Sequence, residues 1–362
     1  MHILSPIFSL FALALPLAAQ QSSNAFAPEI KTALAAKATG TSVQADNWMV
    51  VAANPLAVQS GARVLRAGGT AADAMVAVQS VLGLVEPQSS GLGGGAFLVW
   101  YDGTTREITT LDGRETAPMA ATPTLFQDSS GAPLKFFDAV VGGLSVGTPG
   151  TPALMATAQQ RWGRLAWSAL FSEAVSLADN GFTVSPRLAA VVSYDQKRLN
   201  RFPSTAAYLL PDSKPVKAGD TLHNPAYAAS LRTLGGQGAK AFYTGAIAQG
   251  IVDTVQKAPG NPGVLSLGDL RHYAVKERVA VCAPYRSYEV CGMGPPSSGA
   301  LTVGQILGLL TPYDLGALGV TAAESWRLIG DASRLAFADR SRYMADSDFV
   351  PMPTKGLIDP AY

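Results

Sequence analysis

The distribution of hydrophobic positions predicts a β-hairpin near residue 100. Apolar runs at residues 96–101 and 107–111 flank Asp102-Gly103, and both of these residue types tolerate the positive φ of a tight hairpin turn. A glycine-rich turn at residues 91–95 precedes the first run. The hairpin places residues 112–115 at the end of its second strand.

Helical spacing predicts two helices before this hairpin. Pro55 favours a helix start and Gly68-Gly69 a stop, and Thr70 with Asp73 has the capping-box pattern for the next helix. The second helix is expected to bury one apolar face. That face consists of Ala71, Ala74, Met75, Val78 and Leu82.

The remaining pattern is mostly helical, with a few apolar runs that favour strands. Residues 48–53 and 136–141 are predicted strands, and residues 279–291 a second hairpin. Helical spacing recurs at residues 151–161, 167–180, 186–257, 300–310 and 322–342. No linker divides residues 46–362, so we expect one mixed α+β domain, whereas residues 20–45 are polar, alanine-rich and expected to be poorly ordered.

Composition and the N-terminal residues indicate an exported protein. The 362 residues are 48% hydrophobic and 15% charged, and the net charge of +1 argues against a nucleic-acid-binding surface. Residues 7–17 are apolar and Ala18-Ala19 are small, which predicts a signal peptide over residues 1–19, although no Lys or Arg precedes the apolar core. The run is shorter than the roughly 20 residues that span a membrane. We therefore expect a periplasmic or secreted protein without a membrane span.

Two cysteines lie at matching distances from the centre of the second predicted hairpin. If Arg286-Ser287 forms the turn, Cys282 and Cys291 face each other at a non-hydrogen-bonded pair, where Cα atoms approach to about 4.5 Å. That distance suits a disulfide in an oxidising compartment, and two free thiols are the alternative. No metal site is expected, because no histidine joins the cysteines at ligand spacing.

Arg114 is the first candidate for binding a substrate. A guanidinium at the end of a buried hairpin is costly to place unless an anion meets it, and its fork matches a carboxylate with two parallel hydrogen bonds. The alternative is a structural ion pair with Asp112 or Glu115. The residues alone leave both interpretations open.

Two glycine-rich segments allow other chemistry. Residues 143–147 match the G-x-S-x-G nucleophile elbow, but Thr148-Pro149-Gly150 interrupts the helix that an elbow requires. Residues 91–95 lack the lysine of a phosphate loop and precede a predicted strand, so close backbone approach explains these glycines better.

Polar residues near the last helices have structural explanations. Ser297 and Ser298 precede a helix, where capping is favoured over anion binding. Asp339-Arg340 lies late in a helix with Asp346 and Asp348 beyond it, which predicts an ion-pair network that fixes the helix.

The joint pattern is similar to the γ-glutamyltranspeptidase family. VEPQSSGLGGGAF followed by LDGRETAP carries the resemblance, which covers roughly residue 47 to the end in order. Further matching segments are residues 147–151, 177–184, 285–290, 294–299 and 337–340.

This resemblance implies an N-terminal-nucleophile hydrolase with an αββα sandwich, helix-rich and incomplete without a small subunit. Such precursors cleave themselves before a threonine, whose hydroxyl then attacks a γ-glutamyl compound such as glutathione. Water or an amine takes the γ-glutamyl group from the threonine, and no cofactor is implied. In this family the arginine of the RETAP-like motif holds the substrate α-carboxylate, and that position here is Arg114.

The chain also departs from the family pattern. No counterpart of the threonine-rich nucleophile motif occurs before Tyr362, so residues 46–362 resemble a large subunit truncated at its C-terminus. No catalytic residue is therefore assigned in this chain, and the chain alone is expected to be inactive. Ala300 replaces the second glycine of PPSSGG, and residues 345–348 differ from the usual GDPD. The alternatives are a β-lactam acylase of glutaryl type and a non-catalytic homologue.

Overall fold

Helices dominate the architecture. A computed structural model describes residues 26–362, so the predicted signal peptide lies outside the described residues. The first helices are α1 (Pro28–Ala38), α2 (Pro55–Arg66), α3 (Ala71–Val85), α4 (Phe136–Val140), α5 (Thr151–Trp162), α6 (Ser172–Asn180), α7 (Pro186–Tyr194), α8 (Gln196–Leu199) and α9 (Pro203–Leu209). The later helices are α10 (Pro225–Gln237), α11 (Lys240–Tyr243), α12 (Gly245–Gln256), α13 (Leu267–His272), α14 (Gly299–Leu310), α15 (Leu315–Leu318), α16 (Ala323–Tyr343) and α17 (Thr354–Leu357). Short 3-10 helices are at Trp167–Phe171 and Pro211–Ser213.

The strands form three small antiparallel sheets within residues 26–362. They are β1 (Ala96–Tyr101), β2 (Ile108–Gly113), β3 (Phe182–Thr183), β4 (Thr221–Leu222), β5 (Lys276–Arg278), β6 (Val281–Tyr285) and β7 (Tyr288–Gly292). The order β1-β2-β5 places β2 in the centre of the largest sheet, and β3-β4 and β6-β7 form the two others. The α+β prediction is confirmed.

Helix α3 lies in the centre of the main hydrophobic core. It packs against α2, α5 and α6. The predicted capping box is present, with Asp73 N donating to Thr70 Oγ1 at 3.3 Å and Thr70 N donating to Asp73 Oδ2 at 2.9 Å. Most of the predicted apolar face packs against the core, since Ala74 is buried and Met75, Val78 and Leu82 are partly buried, whereas Ala71 is exposed. Burial also extends beyond this face, because helices pack around α3. The fully buried apolar positions are Ala72, Ala74, Val76, Ala77, Val81, Leu84 and Val85.

The first hairpin forms as predicted, but its turn differs. Asp102 N donates to Glu107 O at 3.0 Å, so the loop is longer than a two-residue Asp-Gly turn. Arg106 and not Gly103 has positive φ, at 63°. The Asp102 carboxylate accepts the N–H of Thr104 at 2.8 Å, which stabilises this wider loop.

Residues 48–53 were predicted to form a buried strand, and this is wrong. They have no strand partner among the described residues, and the side chains of Met49 and Val51 are 52% and 83% exposed. An apolar run becomes a strand only where a neighbour accepts its backbone hydrogen bonds.

The predicted strand at residues 136–141 is also wrong, because this segment contains helix α4. Loop side chains satisfy carbonyls at the end of the helix. Asn261 Nδ2 donates to Val141 O at 3.0 Å, and Ser145 Oγ donates to Val140 O at 2.9 Å. Local capping therefore outweighs the apolar pattern here.

The segment expected to be poorly ordered contains a helix that sequence reasoning did not predict. Pro28 begins α1 at a favoured helix position, and the alanine-rich composition suits a helix. Ile30 is buried, and Glu29 pairs with Arg66 of α2. No helix within residues 26–362 is both long and apolar enough to cross a membrane.

Candidate functional site

The candidate site is the chain immediately after β2. Asp112 and Gly113 are the last residues of this central strand, and Arg114 follows them. Gly113 leaves room for α5, since a Cβ there would lie 2.6 Å from Leu154 Cβ. The hairpin therefore delivers Arg114 to the strand end, as the sequence predicted.

Hydrogen bonds on both sides fix the backbone of Arg114. Its N–H donates to Asp112 Oδ1 at 3.0 Å, and its carbonyl accepts the hydroxyl of Tyr273 at 2.8 Å. Its side chain is exposed and has no ion pair or hydrogen bond within the described part of the chain. The guanidinium is thus attached to a fixed backbone and is free to meet a ligand.

Asp112 pairs with a different arginine from the one predicted. Its Oδ2 accepts Arg278 Nε at 2.8 Å, and Asp112 is only 7% exposed. Arg278 also donates to both carboxylate oxygens of Asp348, at 2.7 and 2.9 Å, while Lys276 donates to Asp348 at 2.5 Å. The alternative of an Arg114–Asp112 ion pair is therefore not the arrangement in the structure.

Charge interactions shift the pKa values of two members of this ion-pair cluster, Asp348 and Arg278. Hydrogen bonds from Arg278 and then from Lys276 hold the pKa of Asp348 well below its usual range. The Asp348 hydrogen bond, opposed by burial and supported by Asp112, raises the pKa of Arg278. The cluster links β5 to the segment after α16.

The glycine-rich turn before β1 packs against this site. A Cβ at Gly95 would lie 2.8 Å from Arg114 Cα and 2.5 Å from Glu115 Oε2. The carbonyl of Gly94 accepts hydrogen bonds from Gly150 N at 2.9 Å and Thr151 Oγ1 at 3.0 Å at the start of α5. Close backbone approach, and not phosphate binding, explains these glycines.

The nucleophile-elbow alternative is not supported by the geometry. Ser145 Oγ donates to the carbonyl of Val140, and the next helix begins only at Thr151. The rings of His223 and His272 contact the carbonyls of Asp179 and Gly268 at 3.1 and 2.9 Å. No serine–histidine hydrogen bond joins these motifs within residues 26–362.

The polar residues around α14 and α16 act mainly in structure. Ser298 is the N-cap residue of α14 but makes no capping hydrogen bond, because its Oγ accepts Arg340 Nε at 2.9 Å. Ser297 Oγ instead accepts the N–H of Gly299, the first residue of the helix, at 3.2 Å. Asp339 accepts Gln305 Nε2 at 2.7 Å. Among residues 26–362, Asp348 is the one member of the predicted ion-pair network that forms ion pairs, and its partners lie on β5 and not on α16.

The two cysteines face each other across the second hairpin. Cys282 pairs with Cys291 in the β6–β7 register, with Cα atoms 4.0 Å apart and a disulfide between the sulfurs. Arg286 has the positive φ of the hairpin turn, at 55°. Glu289 lies close to both sulfurs, but oxidised cysteines offer no thiolate to a metal ion.

Arg114 lines neither of two cavities in the described part of the chain. A cavity of about 430 Å³ lies beside α11 and α12, and another of about 660 Å³ lies between β6 and the segment around α17. Arg114 lies on an open surface, so a ligand bound there would be enclosed only if another chain or segment packed against this surface.

Sequence reasoning missed Tyr273 and Arg278. Tyr273 follows α13 and lies 159 positions from Arg114, while Arg278 lies 166 positions from Asp112. The pairing of β5 with β2 brings Arg278 to the site, and the end of α13 brings Tyr273, but no local motif signals either contact.

Comparisons with known proteins point to one family. The sequence profile of the Gamma-glutamyltranspeptidase family matches residues 57–362. The glutathione hydrolase proenzyme of Bacillus subtilis (strain 168) is 37% identical over 314 residues, which are 87% of this chain and 53% of that protein. The Acylase ACY 1 proenzyme of Pseudomonas sp. (strain V22) is 36% identical over 321 residues, 87% of this chain and 56% of that protein. The chain thus spans about half the length of the curated relatives it matches.

A solved structure from the same family is also similar to this chain. The crystal structure of Helicobacter pylori gamma-glutamyltranspeptidase superposes with a TM-score of 0.84 at 35% identity, covering 89% of this chain and 91% of that chain. The resemblance in sequence therefore extends to the fold. The chain belongs to the γ-glutamyltranspeptidase family of N-terminal-nucleophile hydrolases.

Proposed function

We propose that this chain is the large-subunit part of a γ-glutamyltransferase and glutathione hydrolase, which cleaves γ-glutamyl amide bonds through a γ-glutamyl-threonine intermediate. The observation that carries the proposal is the exposed guanidinium of Arg114 in the LDGRETAP segment, which has no ion pair within residues 26–362 and stands on a backbone held by two hydrogen bonds. Membership of the family supports the reaction class.

In this proposal Arg114 binds the α-carboxylate of the substrate. Two parallel hydrogen bonds from the guanidinium would fix both the position and the orientation of the amino-acid head group. The γ-carbonyl, three carbons away, would then be held where a nucleophile can attack it. Charged hydrogen bonds of this type contribute about 1.5–3 kcal/mol.

The nucleophile is proposed to lie on a small subunit that packs beside β1. Within residues 26–362 the outer edge of β1 has no strand partner, and Phe97, Val99 and Tyr101 on one face are exposed. Exposed apolar side chains next to an open edge suit a protein partner. The disulfide supports a periplasmic or secreted location, where it would persist.

Complementation with a small subunit tests this proposal. The chain is assayed alone and together with a family small subunit that begins at its threonine, with γ-glutamyl-p-nitroanilide as donor. We expect hydrolysis only from the assembled pair. Arg114→Ala should lower kcat/KM roughly 10- to 150-fold. Arg106→Ala, which removes the same charge at the far end of the hairpin, should leave kcat/KM unchanged.

A substrate without the α-carboxylate provides the sharper control. The 4-aminobutyryl anilide keeps the amine and the scissile amide, so Arg114→Ala should barely change its hydrolysis. If the variant lowers the hydrolysis of both anilides equally, or of neither, then Arg114 does not bind the carboxylate.

The alternative function is that of an acylase, which the similarity to Acylase ACY 1 favours. A glutaryl amide carries a carboxylate at the same distance from its scissile bond but lacks the α-amine, so Arg114 would serve both substrates. The two functions are distinguished by the ratio of kcat/KM for the γ-glutamyl anilide to kcat/KM for the glutaryl anilide. An assembled pair that hydrolyses neither anilide would favour a non-catalytic homologue.

A further inference from the structure

Arg114 is held through its backbone by a residue far away in sequence. The Tyr273 hydroxyl donates to the carbonyl of Arg114 at 2.8 Å, on the opposite side of the residue from the Asp112 contact. Within the described residues the side chain is the part of Arg114 left without a hydrogen bond. The direction of that side chain is therefore set by how firmly these two contacts hold the peptide.

Tyr273 is itself rigidly placed. Its ring stacks on Tyr243, with centroids 5.7 Å apart and planes inclined by 6°. Gly150 makes room for it, because a Cβ at that position would lie 2.0 Å from the Tyr273 hydroxyl. The hydroxyl therefore cannot move far from the carbonyl that it contacts.

The hydroxyl also stays protonated. Burial raises the pKa of Tyr273, and the nearby negative charges of Asp112 and Glu115 raise it further. The hydroxyl therefore remains a hydrogen-bond donor near neutral pH.

We propose that Tyr273 is a positioning residue, which acts through the backbone of Arg114 and sharpens recognition of the substrate carboxylate. This inference rests on the proposed function of Arg114. Tyr273 makes no contact with the substrate in this account. A geometric error at the Arg114 peptide would be carried along the side chain and would misalign the two hydrogen bonds of the guanidinium fork.

Tyr273→Phe tests the proposal, because it removes one hydroxyl and keeps the stacked ring. In the assembled enzyme we expect kcat/KM for γ-glutamyl-p-nitroanilide to fall about three- to tenfold, mainly through KM, which is the range of one neutral hydrogen bond. Hydrolysis of 4-aminobutyryl-p-nitroanilide, which has no carboxylate, should stay the same. A purely structural role would lower the hydrolysis of both substrates together.

Tyr243→Phe is the matched control. Its hydroxyl donates to Pro149 O at 2.9 Å and accepts Ala153 N at 3.1 Å, but it makes no hydrogen bond to Arg114. Tyr243→Phe should not change the ratio of kcat/KM for γ-glutamyl-p-nitroanilide to kcat/KM for 4-aminobutyryl-p-nitroanilide. If Tyr243→Phe changes the ratio as much as Tyr273→Phe does, the effect is general packing and the proposal is wrong.

A double-mutant cycle separates this inference from the proposed function. If Tyr273 acts through Arg114, adding Tyr273→Phe to Arg114→Ala should have almost no further effect on kcat/KM. Full additivity would overturn the positioning role and leave Arg114 as the carboxylate ligand. An Arg114→Ala variant with unchanged kinetics would instead overturn the proposed function itself.

Discussion

Replacing Arg278 by alanine would leave the buried carboxylate of Asp112 without its cationic partner. Asp112 is 7% exposed, and Arg278 is its ion-pair partner at 2.8 Å. Breaking such a pair from one side typically costs 3–5 kcal/mol, because the remaining charge is left desolvated. Asp348 adds less to this cost, since it is 29% exposed and keeps Lys276. We therefore expect Arg278→Ala to lower the free energy of unfolding by about 3–5 kcal/mol.

Arg327 is a matched control for this prediction. It also pairs with two carboxylates, those of Glu324 and Asp331 at 2.5 and 2.8 Å, but its side chain is 58% exposed. Exposed pairs are screened by water and contribute about 1 kcal/mol or less. Arg327→Ala should therefore change the free energy of unfolding only slightly.

Urea denaturation of the isolated chain, followed by tryptophan fluorescence, gives both values. The midpoint should shift strongly for Arg278→Ala and hardly for Arg327→Ala, with the slope m unchanged. Equal losses in the two variants, or a loss below about 1 kcal/mol for Arg278→Ala, would refute the argument that burial gives the Arg278 cluster its strength.

Three further predictions concern stability. Arg278 lowers the pKa of Asp348, so the ionised carboxylate stabilises the fold above the unfolded pKa near 4, and this stabilisation is lost as the pH falls further. Asp348→Asn should therefore weaken the dependence of the unfolding free energy on pH between about pH 4 and pH 2. The buried carboxylate of Asp73 accepts three backbone N–H groups at 2.8–3.2 Å, so Asp73→Ala should cost about 3 kcal/mol in urea unfolding, and a loss below about 1 kcal/mol would contradict this. Reduction of the Cys282–Cys291 disulfide, verified by a mass increase of about 2 Da, should lower the free energy of unfolding by about 2–3 kcal/mol because the closed loop is short, and an unchanged urea midpoint would contradict this.

Local signals in the sequence predicted the elements that depend on neighbouring residues. Pro55, Thr70 and Asp73 define helix boundaries by their own chemistry, and the structure confirms those boundaries. The pairing of Cys282 with Cys291 follows from counting outward from one turn. In such cases the deciding contacts lie within a few positions along the chain.

Long-range contacts decided what the sequence could not show. The apolar residues 48–53 do not form a strand, because no strand lies beside them in the described part of the chain. Which sides of α3 are buried depends on the helices that pack around it. The same holds for the candidate site. Arg114 could be identified from its motif, whereas Tyr273 and Arg278 reach it only through tertiary packing.

The open edge of β1 has a consequence for handling the isolated chain. Its backbone N–H and C=O groups have no strand partner in the described residues, beside the exposed Phe97, Val99 and Tyr101. Such an edge can accept the same edge of another copy, so concentrated preparations should self-associate. A lysine at one of these exposed positions would repel incoming copies and keep the preparation dispersed.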